Sequence, residues 1–174
     1  MIRFPFLAAV LAGALCLAAR ALHAQSGAAL GVEVGATAPV SDYGNGRDLG
    51  YHLGVALDVR APLTPIGFRA DGMYHELKFT NRDAKTRIWA ATADIVVHGG
   101  GAPALTPYLL GGAGIYNVRR PEFLGQSSVT NAGVNVGGGL RFGLTGFSAF
   151  IEARYHKVID QDVRIVPITF GLLF

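Results

Sequence analysis

Tyr51-His52-Leu53-Gly54-Val55-Ala56-Leu57-Asp58-Val59-Arg60 is the stretch that decides the fold. Its odd positions are all large and apolar, whereas its even positions are His52, Gly54, Ala56, Asp58 and Arg60. Successive side chains on a strand point to opposite faces, so the run presents one apolar face and one polar or small face. On a helix the same two sets would mix around the whole circumference. The pattern continues downstream, where Val134, Val136, Leu140 and Phe142 stand against Gly133, Asn135, Gly137, Gly139 and Arg141. Phe147, Ile151 and Tyr155 likewise stand against Glu152, Arg154 and His156.

Eight alternating segments cover residues 27–38, 51–61, 67–79, 87–98, 107–119, 131–144, 147–159 and 164–174. Turn-forming clusters separate them, among them Ser41-Asp42-Tyr43-Gly44-Asn45-Gly46, Gly99-Gly100-Gly101-Ala102-Pro103 and Thr145-Gly146. A tilted strand crosses a bilayer in roughly 9–11 residues, which these segments match. An even number of strands puts both ends of the barrel on one side. Short connections (62–66, 99–106, 145–146) then alternate with outer loops (39–50, 80–86, 120–130) and a connection at 160–163. With the N-terminus periplasmic, Tyr51, Trp89, Tyr116 and Tyr155 are expected at one rim. Phe68, Tyr108, Phe142, Phe147 and Phe174 are expected at the other, as two lipid-facing aromatic girdles.

Composition narrows the function classes. The 174 residues suit one domain, and 51% apolar against 16% charged excludes a disordered chain. The 24 glycines and 8 prolines exclude a long helical bundle. Arg3 and Arg20 account for two of the 15 basic side chains, leaving 13 against 12 acids over the rest, so no nucleic-acid partner is expected. Met1–Ala24 reads as a secretory signal peptide: Arg3, an uncharged run from Phe4 to Ala19, then Leu22-His23-Ala24 before a cut at Gln25. Cys16 is the sole cysteine, and with Leu15 before it ordinary cleavage is favoured over lipoprotein processing. The mature chain therefore has no disulfide, thiolate metal site or cysteine nucleophile.

The last segment sharpens the reading. Val166, Ile168, Phe170, Leu172 and Phe174 form an apolar row. Pro167-Ile168-Thr169-Phe170-Gly171-Leu172-Leu173-Phe174 resembles the closing strand of the small bacterial outer-membrane protein beta-barrel domain family, as do Pro107–Gly114 and Asn135–Phe142. The resemblance implies an all-β fold, an eight-stranded antiparallel up-and-down transmembrane barrel similar to OmpA- and OmpX-type membrane domains, spanning residues 25–174. It implies residence in the outer membrane. It also implies an assembly signal at Phe170, Leu172 and Phe174, read by the barrel-assembly machinery after delivery by periplasmic chaperones. It implies no single activity, because such barrels serve structural, adhesive and enzymatic roles.

The inward face is expected to hold Glu33, Asp58, Arg60, Arg69, Asp71, Asp94, Asn135, Arg141, Glu152 and Arg154 as a salt-bridged polar plug. Ser41-Asp42 and His52 could meet at the outer rim, but a turn is the better reading, and no catalytic residues are assigned. Asp42, Asn45 and Asp48 lack EF-hand spacing, so no metal or cofactor is expected. Gly137-Gly138-Gly139 lies within a strand and serves close packing rather than phosphate binding. Arg82, Lys85, Arg87, Arg119 and Arg120, with Asp83 and Glu122 beside them, are expected in or near outer loops, where outer-membrane lipid and lipopolysaccharide are anionic partners. The leading expectation is a monomeric, non-enzymatic outer-membrane barrel. The alternatives are a small hydrophobic-solute channel, a lipid A-modifying enzyme and a soluble calycin-like carrier.

Overall fold

A computed structural model describes residues 27–100, 104–121 and 128–174. The signal segment 1–24, the cut before Gln25, part of the 99–106 turn and Glu122 lie outside the described residues. The alternating segments form β1 (Ala28–Pro39), β2 (Gly50–Arg60), β3 (Ile66–Phe79), β4 (Arg82–His98), β5 (Leu105–Arg119), β6 (Ser128–Leu144), β7 (Phe147–Val158) and β8 (Arg164–Leu173). Each strand pairs antiparallel with the next, and β8 returns to β1 in a register running from Gly31↔Leu173 to Pro39↔Ile165. Closure leaves no free strand edge, the condition for a sheet to survive in lipid. In the two-residue turn between β6 and β7, Gly146 supplies a φ of +86° that a side chain would resist.

The period-two pattern places apolar side chains outside. Trp89 is 61% and Leu109 70% exposed, within an apolar belt that includes Val34, Leu53, Ile95, Val136 and Phe170. A soluble barrel would turn that face inward. A continuous apolar belt of this size marks a surface solvated by lipid, and it removes the calycin-like carrier. Inside, apolar clusters flank a polar middle. Met73, Leu77, Ile88, Val118 and Ile165 pack toward the loop end, and Val96, Leu110, Phe150 and Leu173 toward the termini.

Two expectations are corrected. Tyr108 and Tyr116 do not join the girdles; they are 3% and 0% exposed and point into the lumen. Both share the inward parity of Gly112, which pairs with buried Asp94, and their hydroxyls need polar partners that lipid cannot offer. The connection expected over 80–86 shrinks to Thr80 and Asn81, because β4 begins at Arg82 and pairs with Phe79. The 40–49 loop braces this hairpin tip. The Arg47 guanidinium lies 4.0 Å from the Tyr43 ring and 4.8 Å from the Phe79 ring, and Thr80 Oγ1 donates to Asp48 Oδ1 at 2.8 Å. Arg82, Lys85 and Arg87 are consequently strand residues rather than loop residues.

Candidate functional site

The lumen is built on cross-strand register. Asp58 on β2 faces Arg69 on β3, and Arg69 faces Asp94 on β4. Arg69 donates from Nε and Nη2 to Asp58 Oδ2 at 3.2 and 3.0 Å, and from Nη1 to Glu152 Oε2 at 2.8 Å. Glu152 Oε1 accepts from Arg154 Nε. Arg154 Nη1 continues to Asp71 Oδ2 at 2.8 Å and Asp94 Oδ2 at 3.1 Å. Arg141 Nη2 donates to Asp58 Oδ2 at 2.7 Å. Charge thus crosses the barrel from β2 and β3 to β7 and back to β3 and β4. Tyr108 donates to Glu152 Oε2 at 2.8 Å, and the Arg69 guanidinium lies 4.9 Å from the Phe150 ring. Arg69 and Arg154 are 1% and 2% exposed.

The other candidates sit differently. Arg60 is exposed at the mouth on the termini side and makes no ion pair among the described residues, because it is the last residue of β2. There it lines a depression of about 360 Å³ whose wall includes Asp58 and Arg141. Glu33 and Asn135 are buried, and among the described residues the Glu33 carboxylate has no hydrogen-bond partner.

A histidine tier completes the lumen. Thr37 Oγ1 lies 3.0 Å from Nδ1 of both His52 and His75, and Thr169 Oγ1 lies 3.0 Å from His52 Nε2. Tyr116 Oη lies 2.8 Å from His156 Nδ1. His75, Thr37, Thr169, Tyr108 and Tyr116 join the lumen beyond the set expected from the sequence. Parity alone could have found His75, two and four positions beyond inward Met73 and Asp71 on the same strand. Ser41 and Asp42 are exposed in the first loop while His52 is turned inside, so the three do not meet. Asp42, Asn45 and Asp48 are exposed, and among the described residues no three His, Asp or Glu side chains converge as a metal set. The structure does bring Lys85, Arg87, Arg119 and Arg120 together. They line a cleft of about 340 Å³ at the loop end, with Asp83 and Pro121.

The sequence profile described as the outer membrane protein beta-barrel domain matches residues 7–173. No curated protein sequence matches the chain. Its fold is similar to that of Neisserial surface protein A (NspA), with a TM-score of 0.68 and 18% identity over 85% of this chain and 96% of that one. It is similar to Ail, the attachment invasion locus protein of Yersinia pestis, with a TM-score of 0.60 and 17% identity over 84% and 95%. The outer membrane enzyme PagL gives a TM-score of 0.53 and 18% identity over 84% and 98%. At such identities the likeness is one of fold.

Proposed function

The chain belongs to the outer membrane protein beta-barrel domain family, and from that premise we propose that it is a non-enzymatic barrel with a closed lumen, acting through its outer rim and loops. The observation that carries this reading is the Arg69–Glu152–Arg154 chain across the lumen, with both arginines buried. Opening a conducting path would separate these charges inside the barrel, where both arginines are buried. Losing one partner of such a pair costs about 3–5 kcal/mol. The histidines support the same reading, since His52, His75 and His156 face threonine, tyrosine and one another rather than a serine nucleophile.

In this reading residues 1–24 are removed on export, and the row Phe170, Leu172 and Phe174 is the strand that the barrel-assembly machinery engages. The barrel works as a monomer in contact with outer-membrane lipid and lipopolysaccharide. Intact mass of the membrane-extracted protein tests processing: a chain starting at Gln25 is expected, and retention of residues 1–24 overturns it. Planar-bilayer recording of the purified protein tests the closed lumen. No steady conductance is expected, and stable single-channel currents overturn it. Loss of acyl chains from lipopolysaccharide incubated with the protein would replace the non-enzymatic reading with a lipid-modifying one.

A further inference from the structure

We propose that the outward face of β3, β4 and β5 is a defined site for one phosphorylated lipid of the outer leaflet. This rests on the reading above in one respect only, that the loop end of the barrel faces the outer leaflet. Two independent features of the outer wall line up along these strands: a basic cleft at the loop end and, six residues further down β4, a shallow apolar groove joined to it by a strip of small residues.

The cleft sets like charges against each other. Arg87 on β4 lies directly opposite Arg119 on β5, and Lys85 directly opposite Lys78 on β3. Like charges at directly opposed positions destabilise a sheet. Glu76 relieves part of this, with Lys85 Nζ at 2.8 Å and Arg87 Nε at 3.5 Å from its carboxylate oxygens. Its acid is then fully engaged, since Tyr74 also donates to it at 3.1 Å. Arg119 is exposed and makes no ion pair among the described residues. Lys85, Arg87, Arg119 and Arg120 around one cleft, against Glu76 and Asp83, leave an excess of positive charge for a compact anion.

Height identifies the anion. The next outward residue below Arg87 on β4 is Trp89, whose ring lies 4.8 Å from that of Tyr74 across the strand pair. Exposed Trp and Tyr mark the membrane–water interface. One outward step along a strand is about 6.6 Å, so the guanidinium of Arg87 stands just above that interface, where lipid phosphates lie. Below Trp89 the wall thins. Gly72, Ala91, Ala70 and Ala93 pair across β3 and β4, and Ala93 pairs with Ala113 on β5. A groove of about 360 Å³ opens at the lower end of this strip, over Ala70 and Ala93, between Phe68, Leu57 and Ile95. A lipid whose phosphate occupies the cleft can lay an acyl chain along that strip.

Trp89 is the only tryptophan, so its emission reports on this sector alone. The test uses the full mature protein in phosphatidylcholine vesicles doped with dibrominated phosphatidic acid or, at the same mole fraction, dibrominated phosphatidylcholine. Brominated phosphatidic acid is expected to quench Trp89 at a several-fold lower mole fraction. Arg119→Gln is expected to cut this preference about fivefold, the equivalent of about 1 kcal/mol per basic residue at an anionic lipid surface. Lys157→Gln removes an outward charge from β7 on another part of the wall and is expected to leave the preference unchanged. Heat-dependent gel mobility confirms that each variant is folded. Equal quenching by the two lipids overturns the proposal, as does equal loss in both variants, which is the signature of diffuse attraction. Displacement of the quencher by millimolar inorganic phosphate also overturns it, in favour of a site for soluble anions. A conducting lumen would defeat the closed-barrel reading without altering any of these outcomes.

Discussion

Arg154 on β7 and Gly137 on β6 face each other directly across the strand pair, and a β-carbon at Gly137 would lie 2.6 Å from Arg154 Cγ. The lumen repeats this relationship. His52 faces Gly35, Glu33 faces Gly54, and Asp94 faces Gly112. Each bulky inward side chain leans over a neighbour that has none, which is how a narrow barrel accommodates arginines and histidines together.

Gly137→Ala should therefore cost about 1–3 kcal/mol, the usual penalty of overpacking a filled interior. Gly72 lies on the outward face, where an added β-carbon would meet only Val55 Cγ2 at 3.7 Å. Gly72→Ala should stay within about 0.5 kcal/mol of the parent. Urea unfolding in detergent micelles measures both. Equal midpoints for the two variants would reject the cross-strand accommodation.

The two glutamates of the plug should respond in opposite directions. Glu152 joins Arg69 and Arg154, so Glu152→Ala leaves buried guanidinium groups short of a partner and should cost about 3–5 kcal/mol. Glu33 is 4% exposed, with neither oxygen hydrogen-bonded among the described residues. Glu33→Gln lowers the burden of an unsatisfied buried acid and should be neutral or stabilising by about 1 kcal/mol. Denaturant midpoints of the two variants on the same side of the parent would contradict this assignment of roles.

Ala153 points to lipid, between Gly138 on β6 and Ile168 on β8. Ala153→Arg places a guanidinium in the apolar belt, at a cost of about 2–4 kcal/mol near the midplane. Lys157, on the same face nearer the loop end, should accept Arg without loss. Folded yield in vesicles, read from heat-dependent gel mobility, distinguishes them; full tolerance of Ala153→Arg would reverse the faces of β7.

Parity was legible wherever an alternating run carried strong polarity on one face. Asp58 on β2 and Glu152 and Arg154 on β7 lie inside for that reason. On β5 the signal fades, because Gly111-Gly112-Ala113-Gly114 shows no polarity on either face. An aromatic there reads as a girdle residue until pairing with Asp94 sets the parity, and Tyr108 and Tyr116 turn out to hold Glu152 and His156 instead. The partnership of Arg69 with Glu152 joins strands far apart in the chain, and that of Arg87 with Arg119 depends on the exact pairing of β4 and β5. Both are properties of register, which alternation leaves free by two-residue steps.

Phe174 and Leu173 separate assembly from stability. Leu173 is 2% exposed in the inner cluster with Val96, Leu110 and Phe150, so Leu173→Ala should cost the finished barrel about 2–5 kcal/mol. Phe174 is turned outward, its ring 6.1 Å from that of Phe147. Its backbone closes the seam, donating to Leu30 O at 2.7 Å and accepting from Leu30 N at 3.0 Å. Phe174→Ala keeps that backbone and removes only a lipid-facing ring. It should leave the denaturant midpoint of the purified barrel within about 1 kcal/mol of the parent, while lowering the amount that reaches the outer membrane in cells. Deleting Phe174 would remove the seam hydrogen bonds as well and confuse the two effects. If Phe174→Ala assembles at parental levels while Leu173→Ala does not, the terminal ring is no recognition element, and Phe174 contributes to the seam alone.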